Sequence, residues 1–290
     1  MGLTRQQTTM IAVLLAGAFL VVLNQTLLTP ALPTIMSHLN VNATTVQWLT
    51  SGYALVEAVI IPLNAYLIGR FSTRKLFIGG MLLFAAGSAL CASAPSFPFL
   101  LLGRVMQACA TGVVMPMVFA LILLIFPREN RGVGMGLVGL IISFAPAMGP
   151  SVSGVLVDSI GWRAQFVLVV CLALCVVVAA LLALKKFEGF DRTTFDGLSV
   201  VLIAAGMVCL LYGISTSSPT PILPMVLIVV GLAVIVLFFR RQVKLENPIL
   251  QVQVLRHREF LIIAIIILFL EGVLIGGSVL FPLYIQNALQ

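Results

Sequence analysis

Nine apolar runs, each about twenty residues long, divide this 290-residue chain. They fall at roughly 10–31, 46–69, 76–94, 98–125, 133–157, 164–184, 197–215, 221–239 and 260–284. About twenty apolar residues in a helix match the hydrocarbon thickness of a bilayer. In lipid, backbone N–H and C=O groups have no water to bond, so a crossing segment must satisfy them internally. The runs therefore predict an all-α, polytopic membrane protein. With 61% hydrophobic and 9% charged residues, the chain holds far more apolar sequence than a soluble core needs. No soluble domain is expected.

The sum of charges, +7, matters less than their positions. Fourteen of the sixteen Lys and Arg lie in the N-terminal tail and in alternate loops. They are Arg5; Arg70, Arg74 and Lys75; Arg128 and Arg131; Lys185, Lys186 and Arg192; Arg240, Arg241 and Lys244; Arg256 and Arg258. The connections near 93–97, 158–162 and 216–221 are nearly uncharged. This is the positive-inside pattern, and it predicts a cytoplasmic N-terminus and a multi-pass protein of the cell membrane. The basic excess implies no nucleic-acid partner. The N-terminus has no signal-peptide cleavage pattern, so the first run is expected to stay as a helix.

The fifth run, GVGMGLVGLIISFAPAMGPSVSG, is apolar but rich in residues that helices usually avoid. At helical pitch one face reads Gly132, Gly136, Gly139, Ser143, Pro146 or Ala147, Pro150 and Gly154. A face of small residues lets another helix approach closely in lipid. The expectation is a helix pressed along its length against a partner, bent near Pro146 and Pro150.

Charge inside a span is costly, about 2.5–3.5 kcal/mol at a helix centre, so each instance is a candidate for function. Glu57 lies mid-way along the second run, with Tyr53 and Asn64 on its face. A carboxyl in a half-dry cavity can exchange a proton near neutral pH. Arg104 lies in the fourth run, with Gln107, Thr111 and Met115 following on one face. Glu271 lies in the ninth run with Ser278 on its face. The first run adds Asn24, Gln25 and Thr26, then Pro30 and Pro33. Adjacent residues cannot share one helical face, so one or two of these three line any cavity, and Asn24 is the choice. A cavity framed by these groups and by Tyr53, Met115, Phe119 and Phe144 suits a lipophilic solute, because Met and aromatic side chains adapt to varied shapes. The same residues also describe plain helix packing.

Nothing points to an enzyme. There is no Ser/His/Asp or Cys/His set, no metal-spaced cluster and no phosphate-binding loop. Cys91, Cys109, Cys171, Cys175 and Cys209 all lie in apolar runs and read as small packing residues. His38 and His257 sit at span edges. No metal or cofactor is expected.

These residues carry a family likeness. The chain resembles the major facilitator superfamily, within it the fourteen-helix drug:proton antiporters, and most closely the lincomycin-resistance-type exporters. Gly149, Pro150 and Gly154 match that family's antiporter motif, with Ser153 where a second closing glycine is usual. The stretch LNQTLLTPALP, from Leu23 to Pro33, resembles the branch's first-helix signature, with Asn24 where many relatives have Asp. Arg104 and Gln107 match its R-x-x-Q pattern, with Ala108 and Ala110 in place of glycines. Arg70, Arg74 and Lys75 fit its cytoplasmic gating loop, while Ala65, Gly69, Ser72 and Thr73 depart from it. Trp162, Arg163, Phe166, Asp196, Tyr212, Gly213, Pro282 and Tyr284 also stand where the branch places them.

The resemblance implies a six-helix N-terminal bundle (1–190), two linker helices (191–245) and the first helix of a C-terminal bundle (246–290). It implies alternating access in a monomer, with protons entering as a small lipophilic drug leaves and the proton gradient as driving force. Glu57, Arg104 and Glu271 then serve proton coupling. Asn24, Tyr53, Gln107, Thr111, Met115, Phe119 and Phe144 serve substrate binding, and Pro146, Gly149, Pro150 and Gly154 form the antiporter motif. The chain stops after nine spans where such exporters have fourteen. The alternatives are a non-transporting membrane fragment or scaffold, or an exporter of an endogenous metabolite.

Overall fold

The computed structural model describes residues 4–184, 196–215, 222–245, 248 and 250–288, with side chains up to residue 273. Its elements are helices: α1 (Arg5–Leu39), α2 (Ala43–Val46), α3 (Trp48–Arg70), α4 (Thr73–Ala92), α5 (Phe97–Ile125), α6 (Arg131–Ser159), α7 (Arg163–Ala183), α8 (Gly197–Ser215), α9 (Ile222–Lys244) and α10 (Arg258–Ala288). Two 3-10 turns, Arg128–Asn130 and Val252–Arg256, join them, and no strand occurs among the described residues. Among the described residues, eight helical segments are long and apolar enough to cross a membrane. The ninth expected run falls within α10, much of it beyond the last described side chain.

The first helix is longer than the expected 10–31. It starts at a capping box, in which Thr4 accepts from the Gln7 amide and the Gln7 side chain accepts from Thr4. It runs through Pro30 and Pro33 and stops at Asn40, whose left-handed φ of 50° turns the chain. Asparagine tolerates that conformation better than most residues.

The packing of the first six long helices has a hidden order. The close pairs are α1 with α6, α3 with α5, α4 with α5, α1 with α7, α1 with α5, and α4 with α7. Exchange α1 with α5, α3 with α6 and α4 with α7, and this set maps onto itself. Three helices thus repeat the packing of the preceding three, an arrangement common in membrane transporters that is not visible in the residues. The pair α4–α7 is antiparallel and clamped at both ends. Arg74 Nη2, at the start of α4, donates to the Leu181 carbonyl near the end of α7 at 2.6 Å. Arg163 Nη2, at the start of α7, donates to the Ala94 carbonyl just past α4 at 2.8 Å. The helices α8 and α9 pack on each other, and α8 also touches α3.

The expectation for α6 needs correction. A Cβ at Gly132, Gly136, Gly139 or Gly154 would meet nothing within 4 Å. The small-residue face is therefore open, not pressed along a partner. The buried line on α6 is Gly134, Val138, Ala145, Gly149 and Ser153. Of the glycines in the motif, Gly149 makes the close approach: a side chain there would overlap Thr26 of α1. The helix runs unbroken through Pro146 and Pro150.

The core is layered. One apolar cluster holds Leu14, Leu23, Phe77, Met81, Val114, Val118 and Val177. A second holds Leu28, Ile35, Leu49, Cys91, Leu100, Trp162 and Phe166. On α4 and α5 the two clusters are separated by one level of buried polar residues, Ser88 and Arg104 with Gln107, and Asn24 of α1 is buried at the same level between Leu23 and Leu27.

Candidate functional site

That polar level is the candidate site. Gln107, on α5, is its hub. Its Oε1 accepts from Arg104 Nη1 at 2.8 Å and from Asn24 Nδ2 at 3.3 Å. Its Nε2 donates to Ser88 Oγ at 2.7 Å and to Asn24 Oδ1 at 3.4 Å. One amide thus ties α1, α4 and α5 together. Arg104 and Gln107 sit one helical turn apart, so both reach the same interhelical space.

Arg104 is 1% exposed. Its Nε donates to the Leu49 carbonyl at 3.2 Å. Its guanidinium carbon stands 4.2 Å from the centre of the Tyr53 ring. The ring face is electronegative and gives a desolvated cation partial compensation. Tyr53 and Thr111 share a short hydrogen bond, and Thr111 Oγ1 is within 3.0 Å of the Gln107 carbonyl. Among the described residues no carboxylate lies within ion-pair distance of Arg104. A buried cation without a bonded anion is costly and is a place where a neighbouring charge has large leverage.

That neighbour is Glu57. It is half-buried on α3, one turn beyond Tyr53. Gln25 Nε2 donates to its Oε2 at 3.0 Å. It makes no ion pair with Arg104, but both adjoin Tyr53, Glu57 one turn along α3 and Arg104 over the ring. Further along α3, Asn64 Nδ2 donates to the Val113 carbonyl at 2.7 Å, and its Oδ1 is buried without a partner among the described residues.

The three polar residues of α1 therefore do not compete for one face. Successive helical residues point about 100° apart. Asn24 addresses α5, Gln25 addresses α3, and Thr26 lies against Gly149 of α6. Sequence reasoning named Asn24 and passed over Gln25 and Ser88. Gln25 was legible only as part of a polar triplet. Ser88 lies in a run of small residues and carried no signal.

Other expected residues lie apart from this network. Met115 and Phe119 are half-buried and pack against the first apolar cluster. Phe144 is 55% exposed on α6. Glu271 is exposed on α10, a helix that packs chiefly on the turn Val252–Arg256. In the basic loop, Arg70 and Lys75 are exposed, while Arg74 makes the bond to α7. Of the motif prolines, Pro146 is half-buried and Pro150 exposed.

Comparison with known proteins agrees with this architecture. Residues 14–290 match the family model described as Major Facilitator Superfamily. The chain is 40% identical to an uncharacterized MFS-type transporter, YcnB, of Bacillus subtilis, over 97% of this chain and 60% of that one. It is 35% identical to the lincomycin resistance protein LmrB of the same organism, again over 97% and 60%. It is 29% identical to a multidrug resistance protein B homolog of Mycobacterium tuberculosis, over 84% and 46%. The chain thus spans 60% or less of the length of these relatives. Its fold is similar to that of a bacterial homolog to the human lysosomal transporter Spinster, with a TM-score of 0.58 at 19% identity, over 74% of this chain and 53% of that one.

Proposed function

The chain belongs to the major facilitator superfamily, a family of transporters and not of enzymes, and on that premise we propose that it serves proton-coupled efflux of small lipophilic compounds by alternating access. One observation carries this reading. A half-buried carboxyl, Glu57, is held by the neutral amide of Gln25 one turn from Tyr53, over whose ring sits Arg104, a buried cation that has no bonded anion among the described residues.

Protonation of Glu57 removes the one negative charge that Arg104 feels from α3. The Gln25 donor then loses a charged acceptor for a neutral one, and charge-assisted bonds are roughly twice as strong as neutral ones. The first change acts between α3 and α5, the second on the Gln25 link between α1 and α3. A proton thereby biases two packings of the bundle, which is what coupling requires. Asn24, Tyr53, Gln107 and Thr111 form the polar wall of the proposed path. Met115, Phe119 and Phe144 supply apolar surface for the solute. Glu271 is kept as a second proton site in this reading, on the far bundle.

The assignment of 1–190, 191–245 and 246–290 to first bundle, linker pair and start of a second bundle belongs to the same proposal. So do the cytoplasmic N-terminus, the gating role of Arg70, Arg74 and Lys75, and the membrane potential as an added driving force, about 2.3 kcal/mol per charge per 100 mV. Because the chain spans 60% or less of the relatives named above, export itself is part of what is proposed.

The test is proton release on ligand binding. Purified protein in weak buffer near pH 7 is mixed with ethidium, a lipophilic cation, beside a pH dye. The expected result is release of a proton by the native chain and none by Glu57→Gln. Equal release by both would exclude Glu57 as the exchanging group.

A further inference from the structure

The helices α8 and α9 form an antiparallel pair, so the start of one meets the end of the other. There they border an open cleft of about 550 Å³. Its lining is of two kinds: Leu198, Leu202, Leu237 and Leu245, and the cations Arg240, Arg241 and Lys244. The cations differ in state. Arg241 is committed, since its Nε and Nη2 both donate to the Asp196 carboxylate at 3.1 Å. Asp196 also accepts from Ser199 Oγ at 2.6 Å, and Gln242 Nε2 donates to that hydroxyl at 2.6 Å. This chain of bonds fixes one wall of the cleft.

Arg240 and Lys244 are exposed, and neither has a carboxylate within ion-pair distance among the described residues. They stand four residues apart, on one face of α9. Like charges at that spacing repel. A leucine-lined cleft whose rim carries two cations with no carboxylate partner among the described residues is complementary to an amphiphile with an anionic head. Inorganic phosphate would leave the leucines wet. A zwitterionic lipid would leave the cations without net compensation. The cleft also sits at the end of two membrane-spanning helices, the level at which lipid headgroups lie.

We propose that this cleft binds an anionic phospholipid, with the phosphate between Arg240 and Lys244 and an acyl chain along Leu198, Leu202 and Leu237. The bound lipid would brace the α8–α9 pair at the end already tied by Asp196 and Arg241. The inference is independent of proton coupling and of which side of the membrane this end faces.

The test titrates the purified full chain, in neutral detergent, with fluorescent phosphatidylglycerol and, separately, phosphatidylcholine. The native chain should prefer the anionic lipid. The pair Arg240→Gln with Lys244→Gln should weaken it by roughly tenfold or more, at several-fold per charge. Leu202→Trp, which fills the cleft and keeps both charges, should weaken it as well. Removing the same net charge nearby, with Arg256→Gln and Arg258→Gln, should change affinity less than twofold. The proposal is overturned if that control pair loses as much, if phosphatidylcholine binds equally well, if millimolar inorganic phosphate displaces the lipid, or if Leu202→Trp has no effect.

Discussion

Gln25 Nε2 stands 3.0 Å from Glu57 Oε2, while Asn24, one residue earlier, bonds Gln107 on a different helix. One short piece of α1 thus holds the carboxyl on α3 and the hub on α5. Gln25→Leu keeps the side-chain bulk and removes the donor. Loss of a bond to a partly buried charged group costs about 1–3 kcal/mol. The expected result is a fall of about tenfold or more in gradient-driven ethidium efflux, with little loss in helicity. Efflux within twofold of native would separate Gln25 from the coupling machinery.

Gln107 should matter more for folding than any other neutral polar side chain here. It bonds Arg104, Asn24 and Ser88 at once. Gln107→Leu takes a partner from all three, leaving Arg104 the Leu49 carbonyl and the Tyr53 ring and Ser88 the Phe84 carbonyl, and should destabilise the bundle by about 3 kcal/mol. Ser88→Ala removes one neutral partner and should cost about 1 kcal/mol. Thermal unfolding in detergent would rank them, and equal midpoints would refute the hub assignment.

The glycines of α6 divide into two classes. Gly149→Val must push Thr26 and α1 away, and should lower the unfolding midpoint sharply through overpacking, at about 1–3 kcal/mol or more. Gly139→Val meets open space and should leave the midpoint unchanged or slightly raised. A sensitive Gly139 with a tolerant Gly149 would contradict the packing described.

This division marks how far the residues could be read. Spans and helical class were legible because bilayer thickness imposes a length that composition reveals, and the family was legible only as a resemblance carried by residues such as Arg104, Gln107, Gly149 and Pro150. The pairing of Arg104 with Gln107 was legible because one helical turn joins them. Which face of α6 is covered was not, since small residues permit close packing on any side and the crossing point of α1 decides which is used. Helical pitch allows one or two of the polar triplet 24–26 to line a single cavity, whereas three surrounding helices give each residue its own partner. Ser88 and the three-plus-three packing order rest on contacts between distant segments, which no local pattern encodes. The wider roles given to Met115, Phe119, Phe144 and Glu271 rest on residue type and position along the apolar runs, and the network does not include them.

The Asp196–Arg241 pair should make the α8–α9 hairpin acid-sensitive. The hydrogen bond from Arg241 holds the Asp196 carboxyl below the usual aspartate range, aided by Ser199. A lowered folded value means the stabilisation is present in full above the unfolded value, about 3.9, and is lost as pH falls through the folded one. Asp196→Asn should lower stability at pH 7 and flatten its decline below about pH 4. Melting followed through the reactivity of Cys209, on α8, reports on this hairpin. An unchanged acid limb in the variant would show that the pair contributes nothing there.

The most direct measurement is gradient-driven transport by the purified protein in proteoliposomes, with an imposed pH gradient and the membrane potential clamped at zero. Ethidium movement should follow the gradient in the native protein. In Glu57→Gln it should lose that dependence, while downhill ethidium exchange persists. If Glu57→Gln still moves ethidium uphill at the native rate and with the native pH dependence, Glu57 is not the coupling carboxyl.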